Sequence, residues 1–242
     1  MATKNNFKKA IYATMDYSDA GQNEISAMTL FLPRCNLKCP YCMNGRLLTI
    51  KDFEYNPEML KKFEKRAREL KVSHIIISGG EPTIYPVKLL NDIVDYVKEI
   101  GIPHLGMSTN GINFKVLKDM LPRLDFVALD IKGDNWDYAK AGISLGFAKA
   151  MQSYSIIYNH KKMVKSFSYE LRTTVYPEFI NMEKIRFLSD FIFPSTKWIL
   201  TQYRPVKNMP CKKKVKPYKD EYLEELANEA RKRIKDVEVR YV

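Results

Sequence analysis

The chain is poor in the residues on which hydrolytic and mononuclear metal sites are usually built. It has three histidines, four cysteines and two tryptophans in 242 residues. His74, His104 and His160 are scattered and read as structural residues. No Ser/His/Asp constellation and no paired carboxylates are evident. Long apolar runs are missing as well. None approaches the length that crosses a bilayer, and residues 1–10 lack the apolar core of a signal peptide, so a soluble, cytoplasmic protein is expected. Nothing points to an oxidising compartment, which argues against a disulfide. Internal repeats, long linkers and low-complexity segments are absent too.

What is present fits a globular protein. The length suits one large domain or two small ones with a substantial core, and the 45% hydrophobic content is ordinary. The net charge of +12 is spread over helix-like stretches such as residues 61–66, with acids interleaved. One dense basic block occupies residues 212–216. A solvated surface is the plain reading of this charge; an acidic partner or RNA are the alternatives.

Three of the four thiols are crowded into one stretch, Cys35-x3-Cys39-x2-Cys42. They can hold one metal centre together. An iron–sulfur cube usually takes four thiolates, one per iron, so three would leave one iron open to a ligand. A structural zinc site would need a fourth donor, Cys211 or one of the histidines.

Around this loop, short apolar runs alternate with amphipathic stretches. Strands are expected over 25–33, 74–77, 103–107, 124–129, 166–175 and 197–201. Helices are expected over 57–71, 85–100, 114–121, 136–161 with a break near Gly142 or Gly146, 182–193 and 219–235. The alternation over 237–242 suits a last strand, and residues 1–24 carry no pattern. Such βα repetition predicts an α/β fold with a parallel sheet, about six units of an open or partial barrel. Six polar clusters then fall near C-terminal strand ends, where ligands sit in such architectures. They are the cysteine loop, Ser78-Gly79-Gly80-Glu81, Ser108-Thr109-Asn110-Gly111, Asp130-Ile131-Lys132, Arg172-Thr173-Thr174 and Gln202-Tyr203-Arg204. The two glycines remove side chains so that backbone can approach a ligand. Asp130 and Lys132, two apart on a strand, point to one side and suit an ion pair.

Cys-x3-Cys-x-Tyr-Cys, followed some forty residues later by Gly-Gly-Glu-Pro, resembles the signature of the radical S-adenosylmethionine (radical SAM) superfamily. The resemblance covers roughly residues 25–205. It implies a partial (βα)6 TIM-like barrel, with an extension over 1–24 and a helix and last strand over 206–242 packed on the core. It implies a [4Fe-4S] cluster on Cys35, Cys39 and Cys42. It also implies an S-adenosylmethionine (SAM) site formed by Tyr41, Ser78, Gly79, Gly80, Glu81, Ser108, Thr109, Asn110, Asp130, Lys132 and Arg172, with Asp130 and Lys132 nearest the reaction. The chemistry implied is one-electron cleavage of the sulfonium to methionine and a 5′-deoxyadenosyl radical that abstracts hydrogen.

Asp-Ile-Lys and Gln-Tyr-Arg-Pro look most like the activases of glycyl radical enzymes, in particular those serving anaerobic ribonucleoside-triphosphate reductase or pyruvate formate-lyase. The partners implied are such an enzyme and a flavodoxin- or ferredoxin-type electron donor. The chain departs from that pattern at Met43, where histidine is common, at Ser108, where the pyruvate formate-lyase type has aspartate, and at Asp19-Ala20-Gly21. A second reading is a radical SAM enzyme acting on a nucleobase-like small molecule or RNA. A third is an electron carrier or metal sensor.

Overall fold

The structure, a computed structural model, describes residues 13–18, 26–50 and 57–241, apart from 208, 212 and 214. Asp19-Ala20-Gly21 and the lysines Lys212 and Lys214 of the basic block lie outside the described residues. The elements in chain order are β1 (Ala13–Ser18), β2 (Ser26–Leu32), α1 (Gly45–Thr49), α2 (Pro57–Glu69), β3 (His74–Gly79), α3 (Val87–Glu99), β4 (His104–Thr109), α4 (Phe114–Met120) and β5 (Phe126–Asp130). There follow α5 (Asn135–Lys140), α6 (Gly146–Met163), β6 (Ser168–Val175), α7 (Met182–Ser189), β7 (Lys197–Gln202), α8 (Asp220–Arg231) and β8 (Asp236–Arg240).

The eight strands form one sheet in sequential order. β2 to β8 run parallel, and β1 lies antiparallel on β2. Parallel strands need crossovers, and successive strands that pair with their immediate predecessor wind the sheet in one direction with helices outside. The result is the expected incomplete barrel with one parallel strand more than six, because β8 pairs with β7. β1 went unrecognised in the sequence, since polar flanks hide a strand whose partner is supplied only by the fold.

Burial explains the apolar runs. Ile75 and Ile77 of β3, and Val127, Ala128 and Leu129 of β5, are fully buried, as strands covered on both faces must be. On α3, Leu90, Ile93, Val94 and Val97 face the sheet and are likewise buried. At about 1.5–3 kcal/mol per side chain, this stripe contributes about 6–12 kcal/mol before entropy is counted. The break expected within 136–161 is real. α5 ends at Lys140, Gly142 takes a left-handed φ of 94°, and Gly146 opens α6. The helix expected over 182–193 stops at Ser189, and a hydrogen-bonded turn before Pro194 replaces its end.

Candidate active site

β2 leads straight into the cysteine loop. Arg34 turns the chain with a φ of 65°, and its amide donates to Leu47 O at 2.8 Å. The loop is pinned again where Lys38 N donates to Ala141 O at 2.7 Å, just past α5, and where Cys42 N donates to Cys39 O at 3.1 Å. Leu37 and Tyr41 anchor it in the core, and Tyr41 packs on Tyr176 with ring centroids 4.9 Å apart. The loop so held forms one wall of a cavity, lined there by Cys35, Cys39 and Cys42 together with Leu37 and Tyr41. That cavity measures about 900 Å³ with its solvent-open mouth included, within the range of small-molecule sites.

The facing walls are strand ends. Pairing registers Ile76 with Gly106, Ser108 with Ala128, Asp130 with Arg172, and Thr174 with Thr201. Paired residues share a sheet face, and a period of two then puts Ser78, Ser108, Asp130, Thr174 and Thr201 on the same one. All five line the cavity, as do Gly79, Gly80, Glu81, Thr109, Asn110 and Lys132. Of the site residues expected from sequence, Arg172 alone does not line it. Its guanidinium is engaged by Glu170 on the same strand, one step below the mouth, and Thr174 occupies the position that opens into the cavity. Asn44 and Thr201 are lining residues that sequence reasoning did not point to, while Thr174 and Tyr203, like Gln202 and Arg204, stood in the polar clusters expected at strand ends but were not assigned to the cofactor site. The signal for Thr174 was the period of two, since it is the last inward residue of β6.

Glu81 braces the site. Its carboxylate is buried, 1% exposed, and accepts from Thr83 N (2.9 Å), Thr83 Oγ1 (2.6 Å), Thr109 Oγ1 (2.6 Å) and Asn110 N (2.7 Å). Burial raises its pKa against the pull of these four donors. The bracket joins the end of β3 to the end of β4. Asn110 carries it on to the cysteine loop, donating to Asn36 Oδ1 at 2.7 Å and lying 3.7 Å from Cys35 Sγ.

The glycines serve the same closeness. A Cβ on Gly80 would stand 1.8 Å from Arg34 O, and one on Gly79 would stand 2.3 Å from Leu32 O. The approach that excludes side chains here is therefore to the backbone leaving β2. Gly80 N and Glu81 N donate to Leu32 O and Arg34 O at 2.7 and 2.9 Å, so the glycine pair fastens β3 to the root of the loop.

Asp130 and Lys132 form the expected ion pair at 3.0 Å, with the lysine side chain only 14% exposed. Burial works to lower the lysine pKa, but Asp130, Tyr41 and Cys39 prevail and hold the ammonium well above its usual range. Burial pushes all three loop thiols up, Cys35 to about 12. Lys132 opposes that rise at each of them. Cluster binding must displace these protons.

The donor set fits an iron–sulfur cube. Three thiols share one wall, and Leu37 N and Asn110 Nδ2 already point at Cys35 sulfur, at 3.3 and 3.7 Å. Tyr41 carries a buried hydroxyl with no hydrogen-bond partner among the described residues, as a donor awaiting a bound acceptor would. No three His, Cys, Asp or Glu side chains among the described residues converge to the spacing of a single ion, whereas a cube takes one thiolate per iron and holds them apart. The fourth thiol is a neighbour, with Cys211 N donating to Pro40 O at 3.2 Å, but it does not line the cavity.

Comparison with known proteins agrees with this geometry. The family model for the radical SAM superfamily matches residues 29–168. Two proteins of Methanocaldococcus jannaschii, provisionally named glycyl-radical enzyme activating enzymes, are similar in sequence. The first is 27% identical over 97% of both chains; the second is 29% identical over 68% of this chain and 62% of its own. Among solved structures, TYW1 with a bound lysine-pyruvate adduct superposes with a TM-score of 0.57 at 15% identity, covering 86% of this chain and 74% of that one. That likeness is one of fold.

Proposed function

The chain belongs to the radical SAM superfamily, and on that premise we propose that it activates a glycyl radical enzyme, one resembling anaerobic ribonucleoside-triphosphate reductase. Enzymes of the superfamily use a [4Fe-4S] cluster and SAM. In this reading Cys35, Cys39 and Cys42 hold the cluster, and the strand-end wall of Ser78 to Gly80, Ser108 to Asn110 and Asp130 to Lys132 holds SAM. Held there, cluster and SAM would together supply one-electron reductive chemistry able to remove a hydrogen atom from a glycine Cα of the partner, the reducing electron coming from an external donor.

The protein's own part is to position and to exclude water. Glu81, tied to Thr83, Thr109 and Asn110, fixes the two strand ends that face the thiols. Lys132 brings a largely buried cation into the cavity that the thiols line. The mouth carries exposed Met43 and Arg204, so a reacting segment reaches the cavity from outside.

The observation that carries the reading is one open cavity with three thiols on one wall and polar strand ends on the other. The choice of an activase is supported by the relative that matches along 97% of both chains. A small flavodoxin- or ferredoxin-type protein is the proposed electron donor, and the chain's charge of +12 suits a donor with an acidic docking face. No helix among the described residues is long and apolar enough to cross a membrane.

The test is anaerobic incubation of cluster-loaded protein with SAM, a one-electron reductant and the candidate reductase, followed by electron paramagnetic resonance. A glycyl radical signal is expected. Protein that cleaves SAM but leaves every candidate partner without that signal counts against the activase role. Protein that does not cleave SAM at all counts against the chemistry.

A further inference from the structure

A second hollow opens at the far end of the barrel from the thiols. Ser168, Lys197 and Asp236, the first residues of β6, β7 and β8, line it. The end of α6 and the turn after it close one side with Lys161, Lys162 and Lys165. With its open mouth included the hollow measures about 780 Å³, the size of a small-molecule site.

These lysines are available to an anion. Lys161 Nζ donates to Lys165 O at 2.7 Å, which fixes the side chain and leaves two of its three protons for a ligand. Lys162 Nζ stands 4.4 Å from the centroid of the Tyr158 ring, which also stacks on Phe193 at 4.1 Å. None of the three ammonium groups has a carboxylate partner among the described residues. Tyr158 lines the same hollow, and its hydroxyl has no hydrogen-bond partner among those residues either. Cations around them are matched: Lys197 by Glu238 at 2.8 Å, Lys232 by Glu229 at 2.6 Å, and Arg233 by Asp190. Free positive charge is therefore bunched rather than drawn out in a track, which suits a compact polyanion better than a nucleic-acid strand.

One acid interrupts the pattern. Asp236 pairs in register with Lys197 and lies two strands from β6, roughly 10 Å across the sheet at the usual strand spacing. A carboxylate there repels a bare polyphosphate. It accepts hydrogen bonds from hydroxyl groups, as acidic residues do from ribose in dinucleotide sites.

We propose that this hollow binds a nucleoside polyphosphate, whose phosphates meet Lys161, Lys162 and Lys165 and whose ribose hydroxyls donate to Asp236. The hydroxyls of Tyr158, Ser168 and Ser195, which share the lining, add donors for the phosphates. The site lies at the opposite end of the strands from the thiol cavity and does not rest on the activase reading.

The experiment is isothermal titration calorimetry of the full chain, with and without the cluster, under anaerobic conditions. The ligands are ATP in magnesium-free buffer, inorganic tripolyphosphate, adenosine and a short RNA oligonucleotide. ATP is expected to bind more tightly than tripolyphosphate, and adenosine not to bind. Lys162→Gln with Lys165→Gln, at two exposed positions, should weaken ATP about tenfold or more, the loss expected for a charge-assisted hydrogen bond. Asp236→Asn should weaken ATP while leaving tripolyphosphate as tight or tighter. Saturating SAM should not displace ATP from cluster-loaded protein. Absence of ATP binding, binding indifferent to the two lysines, displacement by SAM, or tighter binding of RNA than of ATP overturns the proposal. If the double lysine variant fails to fold, Asp236→Asn decides: a loss for ATP without one for tripolyphosphate supports the nucleotide site, and any other result overturns it.

Discussion

Glu81 gives the sharpest test of how the site is built. Glu81→Leu keeps the bulk and removes the acceptor. The hydroxyls of Thr83 and Thr109 can turn to other partners; Thr109 Oγ1 already accepts from Gly111 N at 3.1 Å. The amides of Thr83 and Asn110 cannot turn. Each buried N–H left unsatisfied costs about 1–3 kcal/mol, so the substitution should lower the unfolding free energy by about 2–6 kcal/mol. That is a large part of the roughly 5–15 kcal/mol by which a domain is stable. Glu81→Gln, which keeps one carbonyl-type acceptor, should fall between. Urea unfolding of cluster-free protein under anaerobic conditions reads the difference as a shift in midpoint at constant slope. If Glu81→Leu unfolds within about 0.5 kcal/mol of wild type while SAM binding is lost, the carboxylate meets the cofactor and the bracing argument is wrong.

Tyr41→Phe removes a buried hydroxyl that has no partner among the described residues, and should stabilise the cluster-free protein by about 1–2 kcal/mol. The gain should shrink in cluster-loaded protein, because Tyr41 lines the cavity that the thiols line and a group bound there would offer its hydroxyl an acceptor; paired melts of the two forms check this. Lys184 bridges Asp134 and Asp137, the latter at 2.7 Å with its carboxylate only 3% exposed. Lys184→Met should therefore cost ~3 kcal/mol at neutral pH. Burial works to raise the pKa of Asp134, but Lys184 prevails and holds it below the ordinary 3.8; for Lys184, burial works to lower the pKa, but the two carboxylates prevail and hold it above 10.5. The stability from Asp134 is thus present above pH 3.8 and lost as pH falls through its lower folded value. That from Lys184 is present below pH 10.5 and lost as pH rises through its higher one. Asp137, which burial raises, acts in the opposite sense at the acid end. Denaturation of wild type and variant from pH 7 down to 3 should show the gap closing below pH 3.8; a gap that stays constant would mean that the ion pair does not cause it.

The sequence by itself determined the kind of chemistry and the direction in which it faces. Three thiols at short spacing exclude most alternatives because ligand count is a local property. Apolar runs ending in polar residues locate the working edge because a strand's buried length and its end are both written in hydrophobicity. Tertiary structure decided what local pattern cannot carry. Glu81 became a strut because two of its four donors, Thr109 Oγ1 and Asn110 N, come from the end of β4, nearly thirty residues on, and Gly79 and Gly80 proved necessary for the backbone leaving β2. Arg172 fell just short of the cavity because Glu170 holds it one step down β6, while Thr174 reached the mouth. β1 became a strand only because β2 offered it a free edge. For Glu81, the glycine pair and β1, a neighbour remote in sequence supplied the decisive partner, and partners of that kind exist only once the chain has folded.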